Sequence, residues 1–305
     1  MRLAMALFYS DVFVLPLPAH HRFPMGKYAR LRERLHASEA FEASDFHVPA
    51  SATDAELTRV HCPHYLARVT AGTLDPAELR AIGFPWSERM VLRSRQSSGA
   101  TLAAAREALT RGWSANLAGG THHAFRARGE GFCVFNDAAV TARAMQAEAG
   151  LQRIAVIDCD VHQGNGTASI FRGDDSVFTF SVHGARNFPF TKEASDLDIE
   201  LADGTGDDEY LWHLERGLDE TLERSRPQLA IYLAGADPYE DDRLGRLKLT
   251  KQGLARRDEL VLETLHASAI PVAIAMAGGY ARDMADSVEI HANTIMMAKR
   301  TWEDS

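Results

Sequence analysis

The chain has 305 residues, 46% hydrophobic and 25% charged, enough to bury a full core as one large α/β domain or two smaller ones. A formal net charge of -9 without a basic tract argues against nucleic acid as the main partner and is compatible with cationic substrates such as lysine side chains or polyamines. The three cysteines, Cys62, Cys133 and Cys159, are odd in number and widely spaced, which disfavours a disulfide framework or a cysteine-based zinc finger and fits a reducing cytoplasm.

The apolar start reads as a first strand over 4–9, since it lacks the long apolar stretch and cleavage site of a leader. A long loop over 15–27 carries His20, His21 and three prolines. Helical periodicity follows over 28–35, 54–71 and 88–111, then a strand over 115–118. A helix over 136–148 leads to a strand over 154–157, and another strand spans 177–182. After a second long loop, 183–206, helices over 209–224, 251–267 and 283–300 alternate with strands over 229–234 and 271–277. Apolar runs without polar alternation suit strands buried on both faces, and their alternation with helices predicts a doubly wound, mainly parallel α/β sheet with helices on both faces. No linker or repeat interrupts the pattern, so one domain over 1–305 is expected, and no run is long enough to span a membrane.

The informative positions are where strands end. In Asp158-Cys-Asp160-Val-His162 the three polar side chains share one face of an extended chain. His122 and His123 follow Gly119-Gly120 after another apolar run, Asp237 follows a third, and Tyr280 follows Gly278-Gly279 after a fourth. Ligands of such sheets bind beyond the carboxyl ends of the strands, so these residues are expected to share one site. Asp160, His162 and Asp237 make a plausible three-ligand set for zinc, and two oxygens with one imidazole also suit ferrous iron. For Asp237 alone, capping of a helix is an equal alternative. Two histidines could exchange protons with a water and a departing amine, with Asp158 and Asn165 as partners for their second nitrogens. A phenol at Tyr280 could stabilise an oxyanion.

These motifs, Gly119-Gly-Thr-His-His123, Gly129-Glu-Gly-Phe-Cys-Val-Phe-Asn-Asp137, Asp158-Cys-Asp-Val-His-Gln-Gly-Asn-Gly166, Gly235-Ala-Asp237 and Gly278-Gly-Tyr280, resemble in order those of the zinc-dependent histone deacetylase family, with its arginase–deacetylase fold. The run from Gly235 to Gly245 looks most like the class IV branch. The resemblance implies zinc on Asp160, His162 and Asp237, general acid/base roles for His122 paired with Asp158 and His123 paired with Asn165, and carbonyl polarisation by Tyr280. It further implies Phe132 and Phe188 as walls of an acyl-lysine tunnel, with the Gly131 carbonyl accepting the substrate N–H. Structural K+ or Na+ ions would sit at Asp158, Asp160, His162, Ser181 and Val182, and at Phe171, Asp174 and Val177. The implied partner is an acylated lysine on a protein, with acetyl or longer acyl groups, or a small acylated amine such as an acetylpolyamine. A cytoplasmic enzyme is expected, and a monomer is favoured.

Two departures stand out. Asn165 occupies a position where many relatives carry Asp, so His123 is expected to be less basic here. The Ala277-Gly-Gly-Tyr run has fewer glycines than usual, which bears on the mobility of Tyr280. A two-metal ureohydrolase on the same fold would need acids at 164 and 235, where this chain has glycines. A binder without catalysis has no sequence feature in its favour.

Overall fold

The computed structural model describes residues 5–303. Eight strands form one sheet: β1 (Leu7–Phe8), β2 (Phe46–His47), β3 (Trp113–Asn116), β4 (Ile154–Asp158), β5 (Val177–Gly184), β6 (Leu197–Leu201), β7 (Leu229–Leu233) and β8 (Val272–Ala275). Their order is β2-β1-β3-β8-β7-β4-β5-β6, and every pairing is parallel. The central strands β3, β4, β7 and β8 are buried throughout; β7 and β8 are unbroken apolar runs, while β3, at 113–116 rather than the expected 115–118, buries Ser114 and Asn116 through hydrogen bonds to Ala6 O and Ser97 O.

Ten helices flank the sheet: α1 (Lys27–His36), α2 (Asp54–Leu57), α3 (Pro63–Ala71), α4 (Pro76–Ile82), α5 (Glu88–Arg111), α6 (Asp137–Ala149), α7 (Asn165–Phe171), α8 (Asp207–Ser225), α9 (Lys251–Ala267) and α10 (Met284–Glu303). They fall into two packed groups. In one, α5 lies against α6 and α3, and in the other α9 lies against α8 and α10, with α10 also against α1. Polar side chains set several starts: Ser87 accepts from the Met90 amide, Asn136 from Ala139 and Thr250 from Gly253. No helix among the described residues is long and apolar enough to cross a membrane. All three cysteines are free thiols.

The expected elements differ from the observed ones in a few places. Part of the 4–9 strand, Ala4, lies outside the described residues, and the paired segment is only Leu7–Phe8. The helix expected over 54–71 is two helices. Pro63 lacks an amide hydrogen, and Cys62 before it is extended (ψ 129), so the first helix stops and a new one begins at the proline. The 183–206 loop contains β6, an edge strand whose half-buried residues give little apolar signal. The two-residue β2 and the short helices α4 and α7 were not apparent from periodicity.

One buried ion pair ties the second helix layer to the site. Arg257 and Asp258 are fully buried, with Nη2 and Nε of Arg257 at 2.7 and 2.9 Å from Asp258 Oδ1. Asp258 also accepts from the Tyr232 and Thr294 hydroxyls at 2.5 and 2.6 Å. Arg257 Nη1 donates to the carbonyls of Gly235 and Cys159, two residues before Asp237 and one before Asp160. Removing one partner of a buried pair strands the other charge. Arg257→Met is therefore expected to destabilise the fold by about 3–5 kcal/mol in denaturant unfolding. A loss below about 1 kcal/mol would show that the pair is dispensable.

Candidate active site

The carboxyl ends of β3, β4, β7 and β8 converge on one point. Asp160 and His162 follow β4, Asp237 follows β7, His122 and His123 follow β3, and Tyr280 follows β8. The ligand atoms of Asp160, His162 and Asp237 all lie within 4.8 Å of one another, and all three residues are buried. His162 Nδ1 is 2.9 Å from Asp160 Oδ1 and 3.2 Å from Asp237 Oδ2.

Backbone amides orient both carboxylates. Val161 N donates to Asp237 Oδ1 (2.9 Å), His162 N to Asp160 Oδ1 (2.9 Å) and Gly278 N to Asp160 Oδ2 (2.7 Å). Asp237 Oδ2 is buried and receives no backbone amide, with only His162 Nδ1 near it at 3.2 Å. Gly278 is required by space, since a Cβ there would overlap the Asp237 carboxylate. The group has the burial and the charge that suit a divalent cation, and the donor set suits zinc or ferrous iron. Electrostatics agree. Burial, and then the Asp160 charge, push the Asp237 carboxyl up to about 6. Burial works to lower the His162 imidazole, but hydrogen bonds to Asp160 and Asp237 outweigh it and raise it to about 10.

The two histidines beside this group are differently held. Their rings lie 4.1 Å apart between centroids. His122 Nδ1 is 2.6 Å from Asp158 Oδ2. Burial disfavours its charged form, yet the Asp158 and Asp160 carboxylates prevail and lift it to about 9. His123 Nδ1 donates to Asn165 Oδ1 at 2.7 Å. Burial, and then the neighbouring His122 and His162, hold His123 well below its ordinary value. The two adjacent imidazoles are therefore held apart in proton affinity, His122 the more basic and His123 the less. Asn165 Nδ2 donates to Glu130 Oε1 (3.0 Å), which fixes the amide with its oxygen towards His123.

Above the histidines opens a cavity of about 810 Å3. Phe132 and Phe188 both line it, as do Gly131, His123, His162 and Tyr280. Phe188 meets His123 edge to face at 4.9 Å, and Phe132 packs on Phe23 and Phe84 at 5.1 and 5.4 Å. Gly131 has φ 56, and a Cβ there would come within 2.6 Å of His123 Cδ2. Phe132 has φ 67, an uncommon value for a residue with a side chain, and its amide donates to Ile82 O at 2.7 Å. A smaller inner pocket of about 30 Å3 is lined by Asp160, His162, His122, His123 and Tyr280 themselves, together with Tyr28, Arg93 and Gly278 among others.

Burial, and then the charges of Asp237 and Asp160, hold the Tyr280 phenol well above its ordinary value, so it stays protonated. Three residues that the sequence did not single out hold this corner. Asp242 Oδ2 accepts from the Tyr280 amide at 2.6 Å. The buried Lys27 Nζ donates to the carbonyls of Ala277 and Gly279 at 3.1 and 3.4 Å. Glu130 holds Asn165 as described. Two had a faint signal: Asp242 lies in the acidic run after Asp237, and Lys27 closes the long loop over 15–27.

The residues named as cation ligands fall in two places. Asp158 pairs in register with Ser181 on β5, with Val182 next along that strand and Asp160 and His162 just beyond β4. Phe171, Asp174 and Val177 share the turn between α7 and β5. There the Asp174 carboxylate is engaged by Arg143 and by the Ser176 amide and hydroxyl, while Phe171 O and Asp174 O accept from Asp174 N and Val177 N.

The histone deacetylase domain matches residues 21–295. The chain belongs to the histone deacetylase family. An uncharacterized protein of Picosynechococcus is 44% identical over 284 residues, covering 93% of this chain and 95% of that one. Histone deacetylase 2 of Arabidopsis thaliana is 31% identical, covering 92% and 76%. A crystal structure of a deacetylase homologue from Aquifex aeolicus has the same fold, with a TM-score of 0.81 at 22% identity over 96% of this chain and 83% of that one. The fold is thus that of this family.

The neutral state of His123 has a measurable consequence. Asn165→Asp places a carboxylate on its Nδ1, which raises its proton affinity. Activity that depends on neutral His123 rises with pH through that pKa, so the acidic limb of the pH–rate profile should move to higher pH. Glu130→Gln in the same chain relieves the repulsion the new carboxylate would meet. An unchanged profile in both variants contradicts the role of Asn165.

Proposed function

We propose that this chain acts as one catalytic domain that removes an acyl group from the side-chain amine of an acylated lysine, with a single zinc ion on Asp160, His162 and Asp237. The observation that carries this reading is the buried Asp160–His162–Asp237 group beside an oriented pair of histidines of unequal basicity at the base of a cavity. A bound divalent ion would supply Lewis acidity to the amide carbonyl and make a water easier to deprotonate.

The chain's own residues do the rest. His123, neutral and with Nε2 unengaged, takes the proton from water. His122, kept cationic by Asp158, offsets the negative charge that develops and protonates the departing amine. The protonated Tyr280 donates to the carbonyl oxygen as it becomes an oxyanion. The Gly131 carbonyl accepts the amide N–H, and the rings of Phe132 and Phe188 enclose the alkyl stem. A monovalent cation between the end of β4 and Ser181–Val182 would neutralise part of the Asp158 and Asp160 charge. The Phe171, Asp174 and Val177 turn would rely on carbonyls for a second one, because its carboxylate is already engaged.

The inner pocket supports acetyl as the group removed. Its small volume, about 30 Å3, favours a short acyl group over a long chain. The class IV resemblance alone would have allowed longer acyl groups. A two-metal reaction finds no support, because Gly164 and Gly235 supply no carboxylate.

Tyr280→Phe and His123→Ala should each lower kcat/KM on an acetyl-lysine peptide by about a hundredfold or more. Near-normal turnover in either contradicts its role. Chelation should abolish activity, one equivalent of zinc should restore it, and elemental analysis should find one transition metal per chain. Two per chain would reverse the single-ion reading. In a panel of acyl-lysine peptides, turnover should fall steeply beyond short chains.

A further inference from the structure

The chain carries nine more acidic than basic residues, yet the surface around the candidate site has the opposite balance. Four arginines, Arg22, Arg80, Arg186 and Arg246, line the 810 Å3 cavity, and Glu130 is the one carboxylate among its lining residues. All four arginines are exposed. Arg186 and Arg246 share one counter-charge, Asp203, at 2.9 and 3.2 Å, and Glu130 is occupied by Asn165. Arg22 and Arg80 form no ion pair among the described residues. A second hollow of about 510 Å3 shares Arg22 and Tyr280 with the first and adds Arg30, Arg243 and Arg282, with no acidic residue in its lining. Of these, among the described residues, only Arg282 has an acidic partner, Asp241 at 3.0 Å.

This distribution opposes what the net charge suggested. Field lines concentrate in a concave, low-dielectric opening, so unpaired charges there act on an approaching ligand more strongly than the distant acidic surface does. A polyamine tail, or a lysine-rich segment, would bring like charge against these arginines. Guanidinium groups favour carboxylates, which they can bind through two parallel hydrogen bonds.

We propose that the acylated amine is presented on an anionic carrier, with carboxylates close to the acylated side chain. These come either from aspartate and glutamate residues flanking an acyl-lysine in a protein, or from the free α-carboxylate of acyl-lysine itself. The inference deepens the deacylase reading and rests on it for the location of the substrate.

The test uses acetyl-lysine peptides identical except for flanking Asp, Ser or Lys, together with free Nε-acetyl-lysine, its α-amide and N-acetylspermidine. Both kcat/KM and equilibrium Kd are measured at low and at moderate salt. The Asp-flanked peptide should exceed the Lys-flanked one by about tenfold at low salt, and the ratio should shrink as salt screens exposed charges. Arg80→Glu combined with Arg246→Glu should collapse or invert that ratio at low salt, and the difference between variant and parent should shrink at moderate salt. A preference for free acetyl-lysine over its amide, without preference among the peptides, would assign the carboxylate to a small molecule. Equal handling of all charges, or preference for the Lys-flanked peptide or N-acetylspermidine, would overturn the proposal. If no amide is cleaved the deacylase reading falls, while the Kd values on the same peptides still decide the charge preference.

Discussion

Two carboxylates share a buried space beside one imidazole, and the rest of the site is arranged around their repulsion. Asp160 and Asp237 arrive from the ends of different strands and would separate if they could. The backbone prevents it. Amides of Val161, His162 and Gly278 each donate to one of the carboxylates, and Arg257 clamps the carbonyls of Cys159 and Gly235 just upstream. Gly278 leaves no atom where the carboxylates need room. Such a group demands a positive charge at its centre. Asp237 Oδ2, which no backbone amide reaches, faces the place where that charge would be received.

The same field divides the labour of the adjacent histidines. Identical side chains one residue apart acquire opposite character because His122 faces Asp158 and His123 faces an amide. The negative charge that raises one imidazole is spent locally, and the resulting cation then lowers the other. A carboxylate in place of Asn165 would blur that distinction. Glu130, one step further out, holds the amide from rotating.

Much of this was legible in the residues. Most central strands are apolar runs, and the positions just past their ends marked the site, although β4 stops at Asp158, so Asp160 and His162 are placed by the turn beyond it and not by strand alternation. The order of motifs pointed to the family. What escaped was whatever depends on distant contacts or weak local signals. β2 spans two residues, and β6 sits at an edge where half-buried residues dilute the apolar pattern. Pro63 inside an otherwise helical stretch was outweighed by the pattern on either side of it. Lys27 and Asp242 look like ordinary surface charges in sequence, and only the fold carries them under the Tyr280 turn. The arginines around the opening come from five separate segments, so no window of sequence could have revealed them, and the overall acidic balance pointed the other way.

The aromatic wall at Phe132 is bolted to the outside of the molecule. The amides of Gly131 and Phe132 donate to the carbonyls of Ala81 and Ile82 in the last turn of the surface helix α4, next to the exposed Arg80 of the same turn. Holding Phe132 at a positive φ stores a small strain that only this anchorage sustains. A ligand or partner that tugged on α4 from solvent would thus move the ring that narrows the passage, coupling the outer face of the protein to the aperture through two hydrogen bonds.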